Sequence, residues 1–216
     1  MPKLKPETQA ARRAHILDCA EQCFARAGFH RTTTADICAE AKISAGALYV
    51  YFDSKEALIA GLCERDRAAF SERFEALANA SDTLAALAAL GQHYFVEEAP
   101  YKHRLSIEIG IEATRNPRVG EIFQSVDGYC RDSFTALFRR LAAEGRIAPT
   151  IDIDTLSKVF MVIGDGMFWR RAVDPDFDAK AVLPAIVGII GHLLDPEQKC
   201  AAAIPAAAPA TLQEAF

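Results

Sequence analysis

No stretch of the sequence approaches the roughly 18 consecutive apolar residues of a membrane span, although 51% of its 216 residues are hydrophobic. The opening Met1-Pro2-Lys3-Leu4-Lys5-Pro6 is charged and no apolar stretch follows it. The expectation is therefore no secretion signal, no membrane partner and a cytoplasmic protein. The six cysteines form no Cys-x-x-Cys pair and keep no framework spacing. That excludes a disulfide scaffold and leaves them as reduced, small apolar fillers. No nucleophile elbow, phosphate loop or zinc motif occurs, so neither an enzyme nor a cofactor is expected. Period-two alternation and repeats of about 20 to 50 residues are also missing, which excludes sheets and solenoids.

What is present is charge asymmetry and helical periodicity. The net charge is −5, too negative for a general polyanion binder. Residues 1–55, however, carry 8 Lys/Arg and 6 acids, a local balance of +2 on an otherwise acidic chain. Nucleic-acid contact is therefore expected at the N-terminal end. Apolar residues recur at three- and four-residue spacing almost throughout, predicting an all-α fold of about nine helices. They are expected near 7–27, 34–41, 44–51, 54–79, 82–98, 101–115, 118–144, 152–173 and 177–194. Gly28 ends the first. Thr33 with Asp36 makes a capping box for the second, Ser44 caps the third, and Asp53 or Ser54 the fourth. Pro184 is expected to kink the last helix. The Ala/Pro-rich residues 197–216 read as a disordered tail.

Three helices within the first 52 residues, the second and third closely joined, have the layout of a helix-turn-helix. The third begins Ser44-Ala45-Gly46 and carries Tyr49, Tyr51 and Phe52. On a helical wheel Leu48 and Phe52 point inward, Ala47 and Tyr51 flank them, and Gly46, Tyr49 and Val50 lie on the opposite side. A lone aromatic is more often packing than contact, but this constellation favours DNA. Small residues let the helix end approach a phosphate, the tyrosine hydroxyls donate, and Val50 suits a thymine methyl. Thr33, Thr34, Lys42 and Lys55 complete the phosphate candidates.

The segment "GFHRTTTADICAEAKISAGALYVYFDSKEALI" resembles the DNA-binding region of TetR/AcrR-family transcriptional regulators. Carrying the resemblance are Gly28-Phe29, Thr32-Thr33, Asp36-Ile37-Cys38, Ala41, Ile43-Ser44, Gly46, Leu48-Tyr49, Tyr51-Phe52 and Lys55-Glu56-Ala57-Leu58. Two positions depart from it. Lys42 stands where the family has glycine in the tight turn, and Val50 where an aromatic or polar residue is usual. The resemblance implies a DNA-binding domain at 1–55 and a ligand-binding and dimerisation domain at 56–196. It further implies a homodimer on a pseudo-palindromic operator, with its recognition helices in successive major grooves. Repression, release by a small amphiphilic or aromatic effector, and control of drug-efflux genes are the roles it suggests.

In the body, "VFMVIGDGMFWRR" and "AVLPAIVGIIGHLL" are apolar on nearly all sides and so need partners on two faces, as in a four-helix dimer interface. Candidate cavity walls are Phe70, Phe74, His93, Tyr94, Phe95, Ile107, Ile111, Phe123, Tyr129, Phe134, Phe168 and Trp169. Asp165 is a candidate buried acid. Helix 101–115 carries a strip of Arg104, Glu108, Glu112 and Arg115, either self-paired or turned to a cationic ligand. Two alternatives stand beside this reading. One is a DNA-binding regulator with no effector. The other is a metal or redox sensor using His15, Cys19 and Cys23, which recur every four residues but lack an evident fourth ligand.

Overall fold

A computed structural model of the chain describes residues 6–195. The N-terminal Lys3 and Lys5 and the predicted tail lie outside that range. Nine α-helices and one π-helical segment follow one another, with no strand among the described residues. They are α1 (Pro6–Arg31), α2 (Thr34–Ala41), α3 (Ala45–Tyr49), α4 (Lys55–Ala78), α5 (Thr83–Gly91), the π segment (Gln92–Glu97), α6 (Pro100–Ala113), α7 (Pro117–Ala143), α8 (Ile153–Val173) and α9 (Ala179–Leu194). Most ends fall within two residues of expectation because local caps set them. Thr33 and Asp36 close the capping box of α2. Ser44, Ser54, Asp82, Asp152 and Asp178 each accept an N–H from the first turn of their helix.

Two elements differ from the periodicity. The first helix passes Gly28 with a break: Gly28 has φ +78°, and the chain then makes one more turn to Arg31. Thr32 seals the break, its hydroxyl donating to the carbonyls of Gly28 (2.8 Å) and Cys23 (3.1 Å). The expected helix 82–98 is α-helical only to Gly91. Its second half widens to π geometry, with the Glu98 N–H bonded to the His93 carbonyl at 3.0 Å. Apolar spacing does not separate the two forms over a single turn. Buried His103 donates from Nε2 to the Tyr94 carbonyl at 2.8 Å, and Arg171 reaches the Val96 and Glu98 carbonyls. Partners from α6 and α8 thus hold the π segment.

Two apolar cores result. One gathers Ile16, Leu17, Phe24, Ile37, Leu48, Phe52, Leu58 and Leu62 from α1–α4, and Leu105 and Val119 from α6 and α7 complete it. The other joins Leu77, Leu87, Phe134, Phe138, Leu156, Ile190 and Leu194 in the body. Helix α4 contributes to both, and is therefore the rod connecting the two ends of the molecule.

Candidate nucleic-acid interface and ligand cavity

The turn between α2 and α3 forces a tight reversal. Lys42 takes it up with φ 53° and ψ 47°, the left-handed region that glycine occupies at least cost. Its N–H bonds back to the carbonyls of Ala39 and Cys38, closing α2. The Lys42 side chain stands in solvent, next to exposed Ser44, Ala45 and Gly46. Helix α3 divides as its wheel requires. Leu48 is 1% exposed and Phe52 4%, while Tyr49 is 54% and Val50 77% exposed. Val50 beside Tyr49 gives this face an open apolar contact surface. Nothing lies within 4 Å of a Cβ placed on Gly46, so this end of the helix is open to close approach.

Three candidates of this face are already engaged within the chain. Tyr51 is half-buried against the N-terminal core. The Thr33 hydroxyl is engaged with Asp36, 2.7 Å to its carboxylate and 3.1 Å from its N–H, rather than free for phosphate. That contact holds the Asp36 carboxyl below the usual range. Lys55 is a correction. Its ammonium donates to the Phe29 carbonyl at 2.6 Å and the Thr32 carbonyl at 2.9 Å, and lies 4.3 Å from the centre of the Phe29 ring. These carbonyls belong to the turn between α1 and α2, so Lys55 ties α4 to that turn instead of reaching outward. Thr34 is half-buried at the first position of α2.

Polar contacts bind this head to the body on several sides. Arg65 of α4 pairs with Asp18 (2.9 Å) and with buried Glu21 (2.8 Å) of α1. Asn116 donates to Glu56 at 3.1 Å. Glu112 of α6 is buried and meets His30 at 2.6 Å and Arg115 at 3.4 Å. The Glu108 carboxylate lies over Gly28, 3.0 Å from where a Cβ would stand. Glu108 and Glu112 therefore serve the junction between head and body, and their assignment as cavity walls is corrected.

The cavity lies elsewhere in the body. It holds about 280 Å³ and is walled by α4, α5, the π segment, α7, α8 and α9. Phe70, Tyr94, Phe95, Phe134, Asp165 and Phe168 line it as expected from sequence, together with Phe160, Met161, Gly164 and Leu183, although Asp165 is exposed at the rim and is not the buried acid expected. Asp66, Arg67 and Cys130 bring its other polar atoms. Burial pushes the Tyr94 hydroxyl up to about 12 and the Cys130 thiol up to about 11. Desolvation by the apolar lining beside it, with the Asp127 carboxylate as the smaller cause, raises the Asp165 carboxyl above its usual range.

Other wall candidates are displaced. Phe74 stands behind Phe70 and meets Phe134 edge-on at 5.1 Å, within the core. Tyr129 donates to Ser71 at 2.9 Å, outside the lining. His93 faces Glu97 across 3.7 Å. Ile107 is half-buried on α6, away from the cavity. Ile111, Phe123 and Trp169 are 43%, 40% and 52% exposed. The sequence pattern marks a helix as apolar on two sides but does not tell which side meets a hollow. Phe160 and Met161, on α8 beside the glycines, were the legible clue to the walls.

Cys19 and Cys23 are buried, and burial raises both thiols. His15 Nε2 lies 3.2 Å from the Ala41 carbonyl and 3.9 Å from Cys19 Sγ. Among the described residues no group of three or more His, Cys, Asp or Glu is placed to hold a metal. No described helix is long and apolar enough to cross a membrane.

A helix-turn-helix with an open recognition face, set on an all-helical body, defines a DNA-binding transcriptional regulator. Residues 16–62 match the family model described as bacterial regulatory proteins, tetR family. It is 29% identical over 171 residues to the HTH-type transcriptional regulator UidR of Escherichia coli (strain K12), covering 77% of this chain and 84% of that one. Salmonella enterica GusR superposes with a TM-score of 0.74 at 26% identity, over 85% of this chain and 95% of the other. FadR from Bacillus subtilis, solved in complex with stearoyl-CoA, shares the fold with a TM-score of 0.71 at 19% identity, over 82% and 96% of the two chains. Like these relatives, the chain is a regulator and not an enzyme.

Proposed function

We propose that the protein is a ligand-responsive repressor that binds a pseudo-palindromic operator as a homodimer and is released by a small amphiphilic or aromatic effector. The observation carrying this reading is that one rod, α4, is clamped to the DNA-binding head at Lys55 and lines the body's aromatic cavity at Phe70. These residues lie roughly 22 Å apart at 1.5 Å per residue. An effector that tilts α4 moves the head with it and changes the spacing of the two recognition helices. The DNA contacts we assign are Lys42, Ser44, Ala45, Gly46, Tyr49 and Val50, with Thr34 at the start of α2. The domains divide at about residue 55 in this reading.

In this reading a second copy docks on α8 and α9. Val162, Trp169, Val173 and Ile189 are 68%, 52%, 49% and 56% exposed, and an apolar groove runs between the two helices past Gly166 and Ile186. Trp169 therefore reports on the subunit contact, not on the cavity. Control of a drug-efflux operon is the regulatory role that the family resemblance suggests. To test the sensor, operator fragments retained from genomic DNA are followed by fluorescence anisotropy during titration with aromatic amphiphiles. Release by some of them is expected. Retention of the operator against a broad panel would leave a DNA-binding regulator without an effector.

A further inference from the structure

Resting on the effector-cavity reading, we propose that the ligand is a monocationic amphiphile, an apolar body bearing one ammonium or amidinium group, held by an ion pair to Asp165. The walls offer aromatic faces at Phe70, Tyr94, Phe134, Phe160 and Phe168, which suit both an apolar body and a positive charge above a ring. Asp165 of α8 stands at the rim of this lining, exposed at the mouth of the cavity, and among the described residues it makes no ion pair or hydrogen bond. A carboxylate beside apolar walls without a counter-charge is the feature that an incoming cation satisfies.

The other charges point the same way. Asp127 of α7 adds a second carboxylate near Asp165, only partly offset by Arg131 at 3.5 Å. Asp66 sits 3.5 Å from Arg65. Arg67, the positive group of the lining, is exposed, with its guanidinium 5.4 Å from the centre of the Tyr129 ring. An anionic head group would meet Arg67 but also the field of Asp66, Asp127 and Asp165. A cation meets Asp165, which has no ion pair, and the field of Asp66 and Asp127, whose arginines stand 3.5 Å from them. Desolvation and Asp127 both raise the Asp165 carboxyl, so its charged form gains most from a bound cation.

The test compares three ligands with one tail and different heads, decyltrimethylammonium, decanol and decanoate, each below its micellar concentration. They are titrated calorimetrically into the full chain, and dimerisation is followed by sedimentation. The cation is expected to bind about ten-fold tighter than decanol, and decanoate more weakly than decanol. Asp165→Asn should weaken decyltrimethylammonium about ten-fold and leave decanol within about two-fold. Decanoate binding as tightly as the cation would overturn the proposal. So would an Asp165→Asn variant that shifts dimerisation and leaves cation binding unchanged, which would place Asp165 in the subunit contact. The cavity itself is checked with Gly164→Leu. A Cβ at Gly164 meets nothing within 4 Å, so the larger side chain fills the hollow without backbone strain. It should weaken all three ligands. If no ligand binds, or Gly164→Leu changes none of them, the cavity reading fails and the proposal with it; a head-group failure alone leaves the cavity standing.

Discussion

Lys42 and Tyr49 show how two neighbouring exposed side chains make different demands. Lys42 occupies a left-handed backbone position at a cost of about 1 kcal/mol relative to glycine. Lys42→Gly should therefore raise Tm by about 2–4 °C in a chain of this size. The same variant should weaken operator binding and reduce the steepness of its salt dependence by about one counterion, if the ammonium meets a phosphate. Higher stability with an unchanged salt slope would assign the lysine no contact with DNA. Tyr49 has no comparable backbone role and is open to solvent. Tyr49→Ala should leave Tm and dimerisation unchanged while operator affinity falls about ten-fold, measured by anisotropy.

At the scale of the element, the π segment is the most unusual piece of backbone. It places Tyr94 and Phe95 in the cavity wall and is held from behind by His103, whose ring packs 5.2 Å from that of Phe168. Burial pushes the His103 pKa below its ordinary value, outweighing the opposing hydrogen bond to the Tyr94 carbonyl. The folded state therefore prefers the neutral ring. The stability this preference contributes is complete above the unfolded pKa of about 6.5. It is lost as pH falls from there through the depressed folded value. The difference in Tm between the wild type and His103→Gln should shrink over that window. A constant difference would mean that His103 does not titrate with unfolding. Helix caps were legible in the sequence because a Ser, Thr or Asp acts on its own first turn. The π widening was not, since it depends on His103 and Arg171 arriving from distant helices.

For the whole molecule, the open apolar stripe on α8 and α9 predicts assembly. Val162→Asp together with Ile189→Asp should yield folded monomers by sedimentation, with an unchanged helical circular-dichroism spectrum, and operator affinity should collapse because each half-site is then held alone. Dimers that persist would move the subunit contact to another face. Much of this level could be read from the sequence: helix order, the helix-turn-helix, and the inward and outward sides of α3. The partition of long-range roles could not. Glu108 and Glu112 share a helix with Leu105, which completes the N-terminal core, and they too serve the head rather than the cavity. Lys55 carries the charge expected of a phosphate anchor, yet the carbonyls of Phe29 and Thr32 claim it. Such outcomes depend on which distant backbone groups are left without donors, and spacing along one helix does not encode that.

The Lys55 clamp also makes its amine a chemical reporter. An ammonium bonded to two carbonyls and seated over a ring reacts slowly with acylating reagents, whereas the solvent-facing amine of Lys42 reacts freely. In a mass-spectrometric labelling time course, Lys55 should lag Lys42 in the free protein. If the effector loosens the hinge between α4 and the head, its addition should accelerate acylation at Lys55 selectively, marking the allosteric event on a single covalent adduct.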